Sequence, residues 1–496
     1  MPPLIRNFLL AVCWLGALLR FRALFASSFH ADEALFAGWA RHIAVWRDPL
    51  LLTQPVDKPP LLFYLQAFFY PLFGPVEWAA RMPSLIASLL LIPLTGMLVW
   101  RLFRDAKAAV VAALIIAGAP LSIQFSATAF SDPLLTFWLI FALSLAVRPV
   151  QRQPHEYAIY PFLTGLAIGL AFATKYQALL FLPLMLAMAY LSRWRGRDWQ
   201  RGVVGLAVAL LPFGLWMVAR SESGGLISRQ WANIGGLRMA WSWELWPRLV
   251  DQVGLWQVGL GWPILISGLI LMAFFIVGFR HQMTTFTIAD RMLGLFILGY
   301  GLLHWLWSVP IWDRYLLPLL PLVAVLLGRA VSGLIGYIGR SDTIPSWRPM
   351  SRGILGVLLA IFIISHLPVA AAARVGSYPI GGRADADGGA AQVAQLLADA
   401  PYGTVLYDHW YSWHWRYHLF DKRVYVSWFP HVDVLLADLS VFGGSRDPRY
   451  IALPRGEPAA PILRRLTAAG HRLSPLNDED SSISMTLYRI EPPQEP

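Results

Sequence analysis

Phe29-His30-Ala31-Asp32-Glu33 opens the stretch that decides the fold, and Gln54-Pro55-Val56-Asp57-Lys58-Pro59-Pro60 closes it. An apolar run from Phe8 to about Phe25 precedes it, and apolar segments follow it as far as Ala373. Acidic and basic side chains beside a membrane-length segment are costly unless they reach water or serve a function. Between the two ends, Phe36, Trp39, Ala40, Ile43 and Trp46 recur near i, i+3, i+4 and i+7, with Arg41, His42 and Arg47 off that stripe. The pattern predicts an amphipathic helix lying in the membrane interface.

The composition sets the medium. The 496 residues are 57% hydrophobic and 14% charged, against about 25% charged in soluble domains; mean hydropathy is +0.53. This is the composition of an integral membrane protein. The net charge of +11 then reads as Lys and Arg in cytoplasmic loops, not as a nucleic-acid surface. The single cysteine, Cys13, lies in the first apolar run, so an intrachain disulfide is excluded and a Cys-based metal site has no support. The 23 Trp fit aromatic belts at the two interfaces. Arg20 and Arg22 interrupt the first apolar run and no small-residue cleavage site follows it, so it reads as a retained membrane helix.

Further spans are expected at Pro83–Trp100, Ala108–Gln124, Pro133–Val147, Ala158–Thr174, Gln177–Leu191, Val203–Ala219, Gln257–Phe279, Met292–Ser308, Tyr315–Ile335 and Gly353–Ala373. With Phe8–Phe25 that makes about eleven, each near the ~20 residues a bilayer needs. Leu61–Phe73 is short and reads as re-entrant or interfacial, and Trp-rich Ser242–Gln257 as a second interfacial segment. Counting spans puts Arg6, Arg101, Arg104, Lys107, Arg148, Arg152, Arg193, Arg195, Arg197, Arg201, Arg280, Arg291, Arg340, Arg348 and Arg352 on one side, which is expected to be cytoplasmic. Phe29–Met82, Ser126–Asp132, Lys175, the Arg220–Trp256 loop, Asp313-Arg314 and everything after Arg374 then face outward.

That count gathers Asp32, Glu33, Asp57, Lys58, Asp132, Lys175, Asp313 and Arg314, from five short stretches of the chain, at one membrane face. Each has a bland reading. Asp32 and Asp132 read as helix N-caps, the latter with proline at the first helical position. Lys58 reads as a snorkelling lysine, with Lys175 and Arg314 open to the same choice. Together, three cations and two aspartates suit an anionic lipid headgroup. His30, two residues from Asp32, leaves divalent-metal binding open, but no second His or Cys stands at ligand spacing, so neither metal nor other cofactor is assigned. No Ser-His-Asp order, phosphate loop or zinc-protease signature stands out.

After Ala373 the composition changes. Gly381–Gly389 reads as a linker. Beyond it come a helix at Val393–Leu397, strands at Thr404–Tyr407 and Val424–Val426, a helix at Val432–Leu439, a strand at Tyr450–Leu453, a helix at Pro461–Ala469 and a strand at Ser484–Ile490. The chain therefore divides into a membrane domain, 1–374, and a small α/β soluble domain, 375–496. No strong internal repeat appears.

Asp32-Glu33, Asp57-Lys58-Pro59-Pro60-Leu61-Leu62-Phe63-Tyr64, Ala79-Ala80-Arg81-Met82-Pro83-Ser84, Ser131-Asp132-Pro133, Ala173-Thr174-Lys175 and Arg314-Tyr315-Leu316-Leu317-Pro318 occur in this order. The ordered set, reaching to about Gly328, resembles the bacterial GT-C glycosyltransferases. These include the lipid A aminoarabinose transferase, the rhizobial galacturonosyl transferases and relatives of the protein O-mannosyltransferases. The resemblance implies an enzyme of the bacterial inner membrane, its active site and C-terminal domain outside the cytoplasm. It would move a sugar, with inversion, from a polyprenyl-phosphate carrier to lipid A, another glycan, a lipid or a protein. Asp32 and Asp132 would be the catalytic acidic pair, with Asp32 favoured as base and Asp132 orienting the acceptor. Lys58, Lys175 and Arg314 would hold the donor phosphate, and Glu33, Asp57 and Tyr315 would line the substrate site. The family often has Arg-Tyr soon after the Asp-Glu pair, where this chain has Leu35-Phe36. It often has Gly after Thr-Lys, where this chain has Tyr176-Gln177. Both departures bear on sugar and acceptor identity.

Two rivals remain. A flippase for lipid-linked sugars needs polar or broken helices at mid-depth, reachable from both sides; here the charges collect at one face. A receptor-like protein whose tail binds partners would leave the Lys58 and Lys175 pattern unexplained. The topology gives a direct test: a reporter fused after Ala373 is expected to be active only outside the cytoplasm, and activity inside would break the shared-face reading.

Overall fold

The computed structural model describes residues 3–147, 159–223, 238–261, 264–280, 286–340, 348–442, 447–477 and 484–493. Arg148 and Arg152, and residues 224–237 of the Arg220–Trp256 loop, fall outside these. The chain forms two compact units: Met1–Ser27 with Ala40–Arg383, and Ser28–Trp39 with Ala384–Pro496.

The first unit is helical. Its N-terminal elements are α1 (Pro3–Ala26), the C-terminal part of α2 (Ala31–Ala44), α3 (Leu61–Phe73), α4 (Glu77–Phe103), α5 (Ala106–Gly118) and α6 (Pro120–Ser126). There follow α7 (Asp132–Ala146), α8 (Tyr160–Thr174), α9 (Leu182–Leu191) and α10 (Gly196–Ala219), then helices at Ser242–Leu260, Ile264–Arg280, Ile288–Leu306, Leu320–Arg340 and Arg348–Arg374. Ile5–Ala26, Glu77–Phe103, Gly196–Ala219 and Asp313–Tyr337 are each long and apolar enough to cross a membrane, and the α5–α6 pair, bent by 55°, makes a fifth. Shorter apolar helices lie between them. This is a multi-span membrane protein.

Three expected spans depart from a single regular α-helix. Ala108–Gln124 divides at Ala119-Pro120 into α5 and α6. Gln177–Leu191 begins as a 3-10 turn, Tyr176–Phe181, and Tyr315–Ile335 as another, Asp313–Leu319. The expected span Gln257–Phe279 is corrected: Ser242–Leu260 is one helix, and Gly261, at φ +80, ends it before the next begins at Ile264.

The α5–α6 break has an identifiable partner. Pro120 has no N–H, so the Ile116 carbonyl four residues earlier has no helical donor. Arg20, fully buried, supplies one: its Nη2 donates to Ile116 O (2.8 Å) and Ser122 Oγ (2.7 Å). Its Nη1 donates to Ala117 O (2.9 Å) and Gly16 O (3.1 Å), and its Nε to Ser88 Oγ (3.0 Å). The arginine that interrupts the first apolar run therefore ties α1, α4, α5 and α6 together.

Elsewhere small residues let backbones meet. A Cβ at Gly165 of α8 would lie 1.8 Å from the Gly202 carbonyl oxygen, and one at Gly205 of α10 would lie 1.9 Å from that of Phe162. Such close crossings are how helices pack in membranes, where apolar side chains gain little by leaving lipid. Arg329, buried, donates to both carboxylate oxygens of Asp290 (3.1 and 3.2 Å) and to Asp105 (3.1 Å). It joins the N-terminal ends of α5 and the Ile288–Leu306 helix to Leu320–Arg340.

The second unit is α/β. Strands β1 (Thr404–Asp408), β2 (Val424–Trp428), β3 (Arg449–Pro454), β4 (Arg472–Pro475) and β5 (Met485–Glu491) form one sheet in the order β2-β1-β3-β5-β4. β1 runs parallel to β2 and β3; β5 runs antiparallel to β3 and β4. Alternate side chains serve opposite faces. Leu406, Ala452 and Leu487 pack with Val393 and Trp415, whereas Tyr407, Ile451 and Leu453 pack with Leu435 and Leu466.

All seven expected elements are present. Two were not anticipated: β4 and the Ser412–His418 helix. That helix has no apolar period to announce it. Asp408 at the end of β1 starts it, accepting from Tyr411 N (2.8 Å), Ser412 Oγ (2.6 Å) and Trp415 Nε1 (2.9 Å).

Arg20 carries the fold prediction. Arg20→Met keeps an apolar stem but strips donors from buried carbonyls and hydroxyls, at about 1–3 kcal/mol for each group left unsatisfied. Arg22 is exposed, so Arg22→Met is expected to stay within about 0.5 kcal/mol. Thermal unfolding of the full chain in detergent should show a marked drop for the first and none for the second.

Candidate active site

The site residues of the first unit lie at helix breaks and helix starts. Asp57 and Lys58 close the loop before α3, and Lys58 Nζ donates to Asp57 Oδ2. Asp132 opens α7, with Pro133 next to it. Its place is fixed by the buried loop before it: Gln66 Nε2 donates to Ala129 O (3.4 Å) and Ala80 O (3.1 Å), and Ser84 Oγ to Phe130 O (3.1 Å). Arg81, in the same motif as Ala80 and Ser84, donates to Ser27 O (2.6 Å) and Leu24 O (3.3 Å). The motif is thus occupied in anchoring α1 and the loop before Asp132.

Lys175 ends α8 in extended conformation, its N–H donating to Ala171 O, which turns its side chain out of the helix ladder. The Nζ lies 2.5 Å from Asp132 Oδ1 and 4.6 Å from the centre of the Tyr315 ring. Lys58 and Arg314 lie near enough to repel its charge. Arg314 sits over the Phe130 ring at 4.6 Å and the Trp312 ring at 5.6 Å. Asp57, Lys58, Asp132, Lys175, Arg314 and Tyr315, from four segments, therefore share one polar cluster. The expectation that Asp132 acts as an N-cap is corrected: its carboxylate is engaged by Lys175, and Ser131 precedes the helix.

Two neighbours, Gln177 and Tyr300, went unanticipated as site residues. Gln177 Nε2 donates to the Tyr300 hydroxyl and to Tyr315 O (3.4 Å); Tyr300 Oη donates to Tyr315 O (2.9 Å) and its ring stacks on His304 at 4.2 Å. Gln177 links the break after Lys175 to the Ile288–Leu306 helix. Tyr300 lies in mid-helix, where a tyrosine gives no spacing signal. Asp313 is a tether: its Oδ2 accepts from Gly381 N and its Oδ1 from Arg314 N, each at 2.7 Å.

Tyr300 also lines an apolar cavity of ≈ 350 Å³, with Leu180, Pro183, Leu184, Met292 and Phe296. A cluster of ammonium, guanidinium and carboxylate groups thus adjoins an oily recess. Such a pair can hold a molecule with an anionic head and a hydrocarbon tail.

Asp32 and Glu33 belong to the second unit. The N-cap expectation for Asp32 is corrected: His30 caps α2. Its Nδ1 accepts from Asp32 N (3.2 Å), and Glu33 Oε2 accepts from His30 N (2.9 Å), the reciprocal pattern of a capping box. Asp32 is half-buried in the first helical turn. The expected stripe is the buried face of α2 at Phe36, Trp39, Ala40 and Ile43, but the helix ends at Ala44 and Trp46, at φ 55, is exposed. Among the described residues, no group of three or more His, Cys, Asp and Glu is placed to hold a metal ion.

The fold is that of a polytopic helical membrane protein with a small C-terminal sheet domain, and a solved GT-C-like structure shares it. Crystalline ArnT from Cupriavidus metallidurans bound to undecaprenyl phosphate matches over 97% of this chain and 98% of its own, at TM-score 0.64 and 17% identity. Residues 57–217 match the family model described as dolichyl-phosphate-mannose-protein mannosyltransferase. The undecaprenyl phosphate-α-4-amino-4-deoxy-L-arabinose arabinosyl transferase of Pseudomonas aeruginosa is 29% identical over 180 residues, 35% of this chain. A putative mannosyltransferase of Bacillus subtilis is 32% identical over 129 residues, 26% of this chain and 18% of its own length. These findings bear out the resemblance to GT-C glycosyltransferases. The match to the arabinosyl transferase spans 32% of that protein. The matched family segment includes Asp57, Lys58, Asp132 and Lys175.

The geometry ranks the two ion pairs. Side-chain exposure is 1% for Asp132 and 14% for Lys175, against 13% for Asp57 and 28% for Lys58. Lys175→Met strands a buried carboxylate, which typically costs about 3–5 kcal/mol. Lys58→Met breaks a more exposed pair, worth about 0–1 kcal/mol. The melting temperature in detergent should fall far more for Lys175→Met; equal losses would show that burial does not set the strength of the Asp132 pair.

Proposed function

We propose that this chain is a membrane glycosyltransferase that moves a sugar from a polyprenyl-phosphate donor to an acceptor outside the cytoplasm. The observation that carries this reading is the polar cluster of Lys58, Lys175 and Arg314 adjoining, through Tyr300, an apolar cavity. In this reading the cations take the phosphate and the cavity takes the first part of the isoprenoid chain. An ammonium has three donors, so Lys175 keeps Asp132 while offering another N–H to a phosphate oxygen. Asp132 holds Lys175 charged and aimed, and orients the acceptor. Asp57 and Tyr315 steady Lys58 and Lys175, and Glu33 holds the turn that carries Asp32.

Asp32 is the proposed base. It takes the proton of the acceptor hydroxyl or amine as that atom bonds to the anomeric carbon. The carbon–oxygen bond to phosphate breaks on the opposite side, its electron pair leaves with the polyprenyl phosphate, and the anomeric configuration inverts. A positioned base contributes about 10²–10⁴-fold, and preorganised charge at the leaving group is often worth more. The assignment follows the ordered motifs and the engagement of Asp132 by Lys175. The relatives' names make undecaprenyl phosphate carrying 4-amino-4-deoxy-L-arabinose the first donor to assay. Acceptors to assay are lipid A, other glycans, lipids and proteins. The loop charges support an outward-facing cluster, and the resemblance supports an inner-membrane location.

The deciding experiment uses the purified full chain in detergent with radiolabelled donor and each acceptor class. Label transfer without any membrane gradient is expected; donor movement across liposomes with no transfer would favour the flippase instead. Asp32→Asn preserves the size of the side chain and removes its basicity. Turnover should fall by about 10² or more, in line with loss of a general base, with donor affinity unchanged. Near-parental turnover would remove Asp32 from the chemistry.

A further inference from the structure

Twelve residues of the first loop, Ser28–Trp39, belong to the compact unit built by the C-terminal domain. They carry Asp32 and Glu33. The attachment is specific and lies just before the turn that presents these carboxylates.

Three anchors act in succession. Ser28 pairs with the linker: its N–H donates to Ala384 O (3.2 Å), and its Oγ accepts from Asp387 N (3.0 Å). Asp387 is itself fixed, accepting from Gly389 N and Ala391 N at 3.0 Å each. The Phe29 carbonyl then faces His414 Nε2 at 3.0 Å. A carbonyl can only accept, so this nitrogen carries the proton. Burial pushes the His414 pKa below its usual range, and the bond to the Phe29 carbonyl opposes that shift. The Phe29 ring, fully buried, packs edge-on against Tyr417 with centroids 5.0 Å apart. One residue later His30 caps α2 and Glu33 closes the box. The last anchor and the first helical turn are thus adjacent in sequence. His414 and Tyr417 both lie on the Ser412–His418 helix, which Asp408 starts from the end of β1. The sheet therefore sets the helix, the helix sets Phe29, and Phe29 sets the turn.

We propose that the C-terminal domain is a positioning element for Asp32 and Glu33, with His414 and Tyr417 as its positioning residues. The inference rests on the glycosyltransferase reading for its catalytic consequence, but not for the clasp itself. It assigns the appended domain a task inside the reaction: to fix the acceptor-side carboxylates before the acceptor arrives. Holding a reacting group in place is worth much of a catalyst's advantage, and a 1 Å misplacement can cost about 10²-fold.

The test uses the full chain with His414→Leu, which removes the donor to Phe29, His414→Gln, whose side-chain amide can still donate, and Leu439→Ala. Leu439 packs on the other face of the sheet, so its truncation loosens the domain without touching Phe29. Hydrogen exchange by mass spectrometry is read over residues 29–35 and over β1 and β3. Donor affinity and turnover are measured alongside. His414→Leu should speed exchange in 29–35 while β1 and β3 stay protected, and lower turnover by about 10- to 100-fold at unchanged donor affinity. His414→Gln should restore much of both. Leu439→Ala should speed exchange in the strands, with less effect on 29–35. Unchanged exchange over 29–35 in His414→Leu overturns the clasp. Faster exchange with parental turnover overturns the positioning role. A parent chain that transfers no sugar overturns the glycosyltransferase reading instead, and the exchange data still decide whether His414 orders the turn.

Discussion

A hydrocarbon medium offers no partner to an open backbone group, so a broken helix within it must be satisfied by the protein itself. Arg20 meets that constraint. Its guanidinium takes the carbonyls freed beside Pro120 and reaches serines of two further helices. Once the α5–α6 break is stable, α6 leads into the buried loop that Gln66 and Ser84 hold, and that loop delivers Asp132 to Lys175. An ion pair at the candidate site thus depends on an arginine in the first helix, which takes no part in it.

The same principle explains why the candidate site is assembled from helix interruptions. Lys175 sits where α8 stops, Asp132 where α7 starts, and Arg314 and Tyr315 in a 3-10 turn before a long helix. A continuous helix spends its backbone groups on itself and leaves side chains only at fixed intervals. An interruption lets several functional groups converge, provided buried partners such as Gln177 and Tyr300 take up the loose ends.

The division of the chain into compact units follows contact, not order. Ser28–Trp39 is separated in sequence from the C-terminal domain by Ala40–Arg383, yet it packs there through Phe29 and Ser28. Composition places a boundary near residue 374, because that is where apolar spans end and alternating patterns begin. It carries no information on a contact between residues 29 and 414, since neither side chain is unusual for its own neighbourhood.

The sequence by itself determined the medium, the class of fold, the placement of most helices and strands, and the residue types of a charged cluster. Hydrophobic length and period are local quantities, and motif order survives without coordinates. Tertiary structure decided what those quantities do not encode. Arg20 reads as a flaw in an apolar run until the break it satisfies is known. Asp132 reads as a helix cap until Lys175 is placed 2.5 Å away, and Asp32 until His30 is seen to cap α2. The Ser412–His418 helix has no period, and the Asp408 carboxylate holds its first turn through Tyr411 N and Ser412 Oγ. In each case the deciding partner is a polar atom whose directional bond depends on three-dimensional position, which residue spacing along a chain does not specify.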